Sequence, residues 1–407
     1  LQIHKPARAI VIGGSMSGLF AAHMLRQQGW SVEVYERVDE LADRGAGIVA
    51  QREIGVAFER LGIGFGDNLG VNTVPRRTFD REGRLVAETE CRQTHTAWER
   101  VYRLLRDAFP RQHYHRGRRF LRVEQDAGSV VAHFDDGEQV TGELLIGADG
   151  LRSSVRAQYL PDAEPLYSGY CAWRALVDEA AISPATHRDI YLCMAFALPA
   201  GEQLLGYPVA GPQDDLRPGH RRYNWVWYRP AEEGAKLKDL LTDINGVTHL
   251  GAIPPPLIRP AMVEAMRADA RRLVAPQFQE VINLAAQPFL QPIYDFETPK
   301  MALGRVAIVG DAAFVARPHV AAGVAKAAED CMVLADALKQ HADVEAALKA
   351  FEQQRIGPGR RIVRHARALG AYIQPERRTE EERENARIHA GPDRVMAEIA
   401  VLDFLYA

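Results

Sequence analysis

The beginning of this 407-residue chain constrains its fold most: the apolar run Ala9-Ile-Val-Ile12 passes directly into the glycine-rich turn Gly13-Gly-Ser-Met-Ser-Gly18. A short continuous apolar run is what a parallel strand buried on both faces requires. Leu19 to Gln28 then puts Leu19, Ala22, His23 and Leu25 at helical spacing, Gly29 ends that helix, and Val32-Glu-Val-Tyr35 reads as a second strand. Strand, glycine turn, helix and strand make one βαβ unit, which commits the chain to an α/β fold.

A turn of this kind offers free backbone N–H groups and the positive end of a helix dipole, the two features that hold phosphates. Gly13, Gly14, Ser15, Ser17 and Gly18 are therefore candidate cofactor-binding residues. Ser15 stands where the dinucleotide fingerprint carries its second glycine, the position at which backbone approaches a pyrophosphate. Glu36, at the end of the second strand, is placed to accept hydrogen bonds from ribose hydroxyls. An acid there suits FAD and NAD alike, so this motif leaves the cofactor open.

Further along, Gln51 to Leu61 and Trp98 to Phe109 read as amphipathic helices. Phe120 to Glu124, Val130 to Phe134 and Gln139 to Ile146 read as strands, with a hairpin turn at Asp135-Asp-Gly137. From about Tyr167 the character changes to strand-like runs (Tyr170 to Val177, Ile190 to Leu198, Leu204 to Val209, Tyr223 to Tyr228), then helical stretches near Lys236 to Asp243 and Pro260 to Leu273. The α/β pattern returns with the buried strand Val306-Ala-Ile-Val309 and helices over Ala321 to His341 and Glu345 to Ala371. This divides the chain into a discontinuous nucleotide-binding domain (1–166 and 298–372), an inserted mixed β-sheet substrate domain (167–297) and a C-terminal segment (373–407). In that segment the charge-dense stretch Glu376 to Arg387 reads as solvated. Arg394 to Tyr406 reads as a helix docking on this subunit or on a second copy, which leaves room for a homodimer.

Composition narrows the class of partner. A formal net charge of −3, without basic runs interleaved with aromatics, speaks against nucleic acid. Four scattered cysteines, with no C-x-x-C pair, speak against a metal site or redox disulfide and suit a reducing cytoplasm. There is no apolar run long enough to span a membrane and no signal-peptide pattern at the start.

Two later segments name the cofactor. Gly147-Ala-Asp-Gly-Leu-Arg-Ser-Ser-Val-Arg156 has the pattern D-G-x-x-S-x-x-R after a buried strand, and Gly310-Asp311-Ala-Ala lies between a buried strand and a long helix. In this order and spacing they resemble the second and third signatures of the group A flavoprotein monooxygenases, the single-component FAD-dependent aromatic hydroxylases. The resemblance spans about Ala7 to Arg355. It implies a fold like that of para-hydroxybenzoate hydroxylase and noncovalent FAD. It implies NAD(P)H and O2 as co-substrates, and hydroxylation of a hydroxylated aromatic or N-heteroaromatic ring through a flavin hydroperoxide. It places Asp311 beside the ribityl chain and adds Arg37, Gly47, Val123, Asp149, Gly310, Pro318, Gly323 and Val324 to the cofactor contacts.

Within the family, Arg317-Pro-His-Val-Ala-Ala-Gly-Val-Ala-Lys326 is similar to the dihydroxypyridine hydroxylases, as are Gly45-Ala-Gly-Ile-Val-Ala-Gln51 and Gly169-Tyr-Cys-Ala-Trp-Arg174. The chain departs from most members at Phe314, where they carry histidine, at Ala321 to Ala325, where they carry G-Q-G-x-N, and at Trp98, where many carry an arginine.

His319, next to Pro318, and Tyr207, on a strand that should roof the pocket, are the candidate catalytic and substrate-binding residues. Trp173 and Trp225 are candidates for an aromatic pocket wall, and Arg44 for the flavin or nicotinamide. A histidine packed against a helix start, a half-buried sheet tyrosine, core tryptophans and a solvated arginine are the competing readings. At the level of function the alternatives are a flavin oxidoreductase of another reaction type, a plain NAD-dependent dehydrogenase and a non-catalytic flavin sensor.

Overall fold

The computed structural model describes residues 6–39, 47–66 and 68–405. Its first layer is a six-stranded sheet in which Val306–Ile308, Leu144–Gly147, Arg8–Ile12, Ser31–Tyr35 and Tyr114–His115 run parallel, with Ala302–Leu303 antiparallel at one edge. The opening run forms the strand Arg8–Ile12 in its middle, and Ala9, Ile10 and Val11 are fully buried, as two-sided coverage requires. The first helix, Met16–Gln27, and the long helix Gly323–Gln340 pack together on this sheet.

Gln139 to Ile146, expected as one strand, is two. Gln139–Gly142 closes a three-stranded meander with Phe120–Gln125 and Val130–Phe134, while Leu144–Gly147 enters the parallel sheet. The break falls beside Gly142, where a Cβ would lie 2.9 Å from the Arg8 carbonyl oxygen.

The second sheet has nine strands, in the order Phe314–Val315, Phe289–Glu297, Leu166–Asp178, Arg222–Pro230, Gln203–Val209, Met194–Ala197, Val71–Phe79, Leu85–Ala97 and Gly47–Val49. It is therefore not confined to residues 167–297, because three of its strands come from residues 47–97. The reading of Ile190 to Leu198 as a strand is corrected as well: Ile190 ends the helix Pro184–Ile190, and only Met194–Ala197 is extended.

Strand alternation divides this sheet into two faces. Tyr170, Ala172, Leu205, Tyr207, Val226 and Tyr228 join the core shared with the first layer. Cys171, Trp173, Ala175, Leu204, Trp225 and Trp227 join a separate core beneath the helices Pro260–Leu273 and Pro276–Leu284.

The C-terminal segment docks on this chain. Glu376 to Arg387 contains most of the exposed helix Glu380–Ile388, opened by a capping box at Thr379 and Glu382. The expected helix from Arg394 stops at Glu398, and Ala400 has φ +59°. Its N–H donates to the His319 carbonyl (2.8 Å), and its carbonyl accepts from Gln51 Nε2 (3.0 Å) and Gln93 Nε2 (2.9 Å).

Candidate active site

The three motifs converge at the C-terminal ends of the parallel strands. Gly13 (φ +103°) donates its N–H to the Tyr35 carbonyl, and a Cβ there would lie 2.4 Å from the Ala148 oxygen. A Cβ on Gly18 would fall 1.9 Å from the Gly13 oxygen, so the turn closes only with glycine at both places. Ser15 is the N-cap of the first helix but makes no side-chain cap bond, which leaves the opening N–H groups for a ligand.

Glu36 is buried at the strand end, its carboxylate accepting from the N–H of Gly14 (2.8 Å) and of Val38 (3.2 Å). Arg37 beside it is exposed. Tyr114 was missed by sequence reasoning. Its hydroxyl donates to the Gly14 carbonyl (2.8 Å), locking the turn from the last parallel strand.

The second motif is a brace. Asp149 precedes the helix Ser154–Tyr159, whose N-cap is Ser153, and its carboxylate accepts from Ser153 Oγ and from the N–H groups of Ser154 (2.7 Å) and Val155 (3.2 Å). Arg156 donates to the carbonyls of Ala312 (3.0 Å) and Leu151 (2.7 Å) and lies over the Phe296 ring. The motif thus ties itself to the Gly310-Asp-Ala-Ala segment, and the Asp149 carboxylate is occupied by the chain's own donors. Val123 is similar: its N–H and carbonyl are both held by the Gln158 amide, at 2.9 and 2.7 Å.

Gly310 (φ +61°) donates its N–H to Asp330 Oδ2 (3.1 Å), and a Cβ there would lie 2.1 Å from Ser17 Oγ. Next to it, the Asp311 carboxylate is half-exposed and lies 3.8 Å from the buried Lys326 ammonium. The chain then turns through Pro318–Val320 and the left-handed Ala321 (φ +48°) into the helix that begins at Gly323. Ala322 supplies no side-chain cap, and a Cβ on Gly323 would meet open space. Gly323 and Val324 thus open a second helix N-terminus whose N–H groups lack side-chain partners.

These features fit a flavin dinucleotide. One uncapped N-terminus suits the pyrophosphate, Glu36 the ribose, Asp311 the ribityl hydroxyls, and the second N-terminus negative charge on the ring.

His319 is buried, with Nε2 2.8 Å from the Tyr170 hydroxyl and its ring 4.6 Å from that of Tyr228. Burial, then the neighbouring Arg317 guanidinium, pushes its pKa down to about 3, so the ring is neutral near pH 7. Nδ1 is buried with no partner among the described residues. The Tyr372 hydroxyl and both amide atoms of Gln203, which adjoin Tyr228, are in the same condition.

Tyr207 is cross-strand partner of Asn224 and stacks on His95 with centroids 4.4 Å apart. Asn224 Oδ1 accepts from the Gly47 N–H (2.9 Å), while its Nδ2 is buried without a partner. Gly47 abuts Tyr207 and Asn224 so closely that a Cβ would lie 2.7 Å from each. Arg174 lies on the same face, its guanidinium 3.5 Å from the Gly47 carbonyl. Arg44 lies outside the described residues.

Trp173 and Trp225 are not in this group. They occupy the opposite face of the sheet, since Trp225 pairs with Gly206, one residue out of phase with Tyr207. Sequence reasoning also missed Asn224 and Arg174. Each interrupts an apolar run on the face of Tyr207, Arg174 between Ala172 and Leu176 and Asn224 before Val226 and Tyr228, a signal that alternation could have given.

Residues 7–200 match the FAD binding domain family, and 167–295 match the FAD binding domain-like family. The chain is 30% identical over 375 residues to 2,6-dihydroxypyridine 3-monooxygenase of Paenarthrobacter nicotinovorans, covering 90% of this chain and 91% of that one. It is 29% identical to an FAD-dependent urate hydroxylase of Klebsiella pneumoniae, covering 88% of each. Among solved structures, 2,6-dihydroxypyridine-3-hydroxylase from Arthrobacter nicotinovorans superposes with a TM-score of 0.86 at 29% identity, over 91% of this chain and 93% of that chain. Klebsiella pneumoniae HpxO complexed with FAD and uric acid superposes with a TM-score of 0.75 at 25% identity, over 98% of each. The chain belongs to the FAD-dependent aromatic monooxygenases.

Proposed function

We propose that this chain hydroxylates a small, planar, hydroxylated N-heteroaromatic ring of the dihydroxypyridine kind, consuming NAD(P)H and O2. FAD, when bound, supplies the redox chemistry, taking reducing equivalents from the nicotinamide and delivering one oxygen atom to the ring. The observation that carries the substrate reading is the set of buried polar groups around Tyr228 and Tyr207 that lack partners among the described residues: His319 Nδ1, the Tyr372 hydroxyl, the Gln203 amide and Asn224 Nδ2. Unpaired buried polar groups are costly, and a ring carrying oxygen and nitrogen at its edge would satisfy them.

The chain's own part is positioning and charge. Tyr207 has its hydroxyl pKa raised by burial, so it remains a neutral donor near pH 7. The Arg174 cation lies near both Tyr207 and Tyr228 and would stabilise negative charge on a deprotonated ring. Tyr170, Tyr228 and Tyr372 wall the site and exclude water. Asp311 and Glu36 would hold the cofactor.

The test is NAD(P)H oxidation with 2,6-dihydroxypyridine, urate and 3-hydroxybenzoate under labelled oxygen. Stimulation by the pyridine, with one labelled oxygen in the product, supports the reading. A better response to the benzoate would overturn it. Stoichiometric oxidation without oxygen transfer to any ring would favour another type of flavin oxidoreductase.

A further inference from the structure

His319 and Tyr170 stand at the inner end of a polar network that none of the roles above requires. Asp295, buried, accepts from Arg317 Nε (2.8 Å) on one oxygen and from Arg367 Nε (2.9 Å) and Nη2 (2.7 Å) on the other. Arg317 is itself buried and also donates to Gln374 Oε1 (2.9 Å). Its guanidinium carbon lies 5.7 Å from the centroid of the Tyr170 ring, which sets a buried cation beside that tyrosine. The Gly370 backbone seals the other side, where a Cβ would lie 2.4 Å from the Tyr170 hydroxyl and 3.0 Å from His319 Nε2 and Cδ2.

Proton counting along this network gives a direction. The Arg317 cation beside Tyr170 attracts the lone pairs of the hydroxyl oxygen and repels its proton, so the oxygen turns its lone pairs toward Arg317. Its single proton then goes to its other neighbour, His319 Nε2, at 2.8 Å. A neutral imidazole that accepts at Nε2 carries its proton on Nδ1. That atom is the buried one with no partner, lying across the ring from the Gly370 contact.

We propose that Tyr170, oriented by the charge of Arg317 that Asp295 anchors, is a positioning residue that fixes His319 in the Nδ1–H form. His319 therefore meets the bound ring as a hydrogen-bond donor to an oxygen and not as a base. This deepens the reading of the site given above and rests on it for the identity of the ring, but not for the proton's place. A donor at Nδ1 favours the oxyanion of a deprotonated hydroxypyridine, whereas a lone pair there would repel it. Removal of a substrate proton then falls to a group other than His319.

The experiment uses the FAD-loaded protein labelled with 15N-histidine, with His319→Gln to assign the resonance. The wild type should show His319 protonated at Nδ1 and bare at Nε2, and Tyr170→Phe should shift it toward Nε2–H. Binding, read from perturbation of the flavin absorbance, should separate two probes of one shape. For 2,6-dihydroxypyridine the affinity of Tyr170→Phe should fall about tenfold. For 2,6-diaminopyridine, which presents donors, it should hold or rise, with FAD retention unchanged. Asp295→Asn, which weakens the grip on Arg317, should move both readouts the same way if Tyr170→Phe fails to fold. A wild-type His319 protonated at Nε2, or an unchanged ratio of the two affinities in a folded variant, overturns the proposal. A wild type that ignores 2,6-dihydroxypyridine but shows Nδ1–H would instead overturn the substrate reading alone.

Discussion

Ser17, in the first turn of the opening helix, and Gly310, at the head of the third motif, touch so closely that a Cβ on Gly310 would lie 2.1 Å from the Ser17 hydroxyl. The two segments that we propose frame the cofactor are thus fitted to each other at a point where the backbone is also left-handed, with φ +61° at Gly310. Gly310→Ala should therefore cost about 1–3 kcal/mol, from strain at a positive φ and from the collision. FAD should be lost with it, because Asp311 is displaced by the same shift. Chemical denaturation and flavin retention on desalting check this together, and a yellow variant of unchanged stability would show that the contact is slack.

Glu36 supports a second expectation. Its carboxylate is fixed by the N–H of Gly14 at 2.8 Å, at the end of the strand where a ribose would lie. Glu36→Ala should weaken FAD binding by about 1.5–3 kcal/mol, the range for a charge-assisted hydrogen bond. Glu36→Gln, which keeps an acceptor for Gly14, should lose less. Titration of the apo-protein with FAD measures both, and equal affinities for all three proteins would exclude Glu36 from the site.

The glycine turn, Glu36 and Asp311, which we propose as the nucleotide end of the site, could be picked out of the sequence because their information is local. The turn at Gly13 to Gly18, Glu36 and Asp311 each stand next to a buried strand, and short motifs report such places directly. The substrate end could not, because it is assembled from strand registers. Sequence reading places Tyr207 and Trp225 in one pocket, whereas one step of alternation puts them on opposite faces of the sheet. The strands Val71–Phe79 and Leu85–Ala97 were missed altogether. The second is largely exposed and rich in polar residues, so no apolar alternation marks it. The family resemblance implies Val123 and Asp149 as cofactor contacts, and only the structure reveals that Gln158 and the Ser153 to Val155 turn already engage them.

The two faces of the large sheet can be separated by mutation. Trp225 is fully buried beneath the helices Pro260–Leu273 and Pro276–Leu284, so Trp225→Phe should cost roughly 1–3 kcal/mol of stability by leaving a void. Its KM for the ring substrate should match the wild type. Tyr207→Phe should do the reverse, with near-normal stability and a kcat/KM lowered about tenfold or more through loss of its hydroxyl. Steady-state kinetics beside thermal unfolding would decide, and a raised KM in Trp225→Phe with normal kinetics in Tyr207→Phe would invert the assignment of faces.

Ala400 joins the C-terminal segment to the site through backbone bonds alone, with its N–H on the His319 carbonyl and its carbonyl shared by Gln51 and Gln93. It does so at φ +59°, a conformation that an alanine adopts at a cost and a glycine does not. Ala400→Gly should keep all three bonds and stabilise the protein by roughly 0.5–1 kcal/mol, part of the gain being offset by the freer unfolded chain. The check is the unfolding midpoint, and a lower one would mean that the alanine methyl packs in a way that outweighs the backbone strain.

His95 and His319 give the chain an acid-sensitive core. Both are fully buried with pKa values pushed down to about 3, by burial first and then by Arg76 for His95 and Arg317 for His319. In the unfolded chain an ordinary histidine titrates near 6.5. Between those values the unfolded state binds more protons than the folded one, so stability rises with pH across that window and is lost as pH falls through it. Each histidine contributes a slope approaching about 1.4 kcal/mol per pH unit. Destabilisation should thus set in below about pH 6.5, ahead of carboxylates such as Glu179. That group is held down to about 2 against the cost of its burial by Arg221, His187 and the Gly219 N–H. His95→Gln keeps a polar partner for Thr73 Oγ1, 2.9 Å from the imidazole, but cannot take up a proton. Its stability at pH 5 relative to pH 7.5 should therefore fall less than that of the wild type. Unfolding free energies at the two pH values test this, and an equal loss in both proteins would show that His95 titrates normally in the folded state.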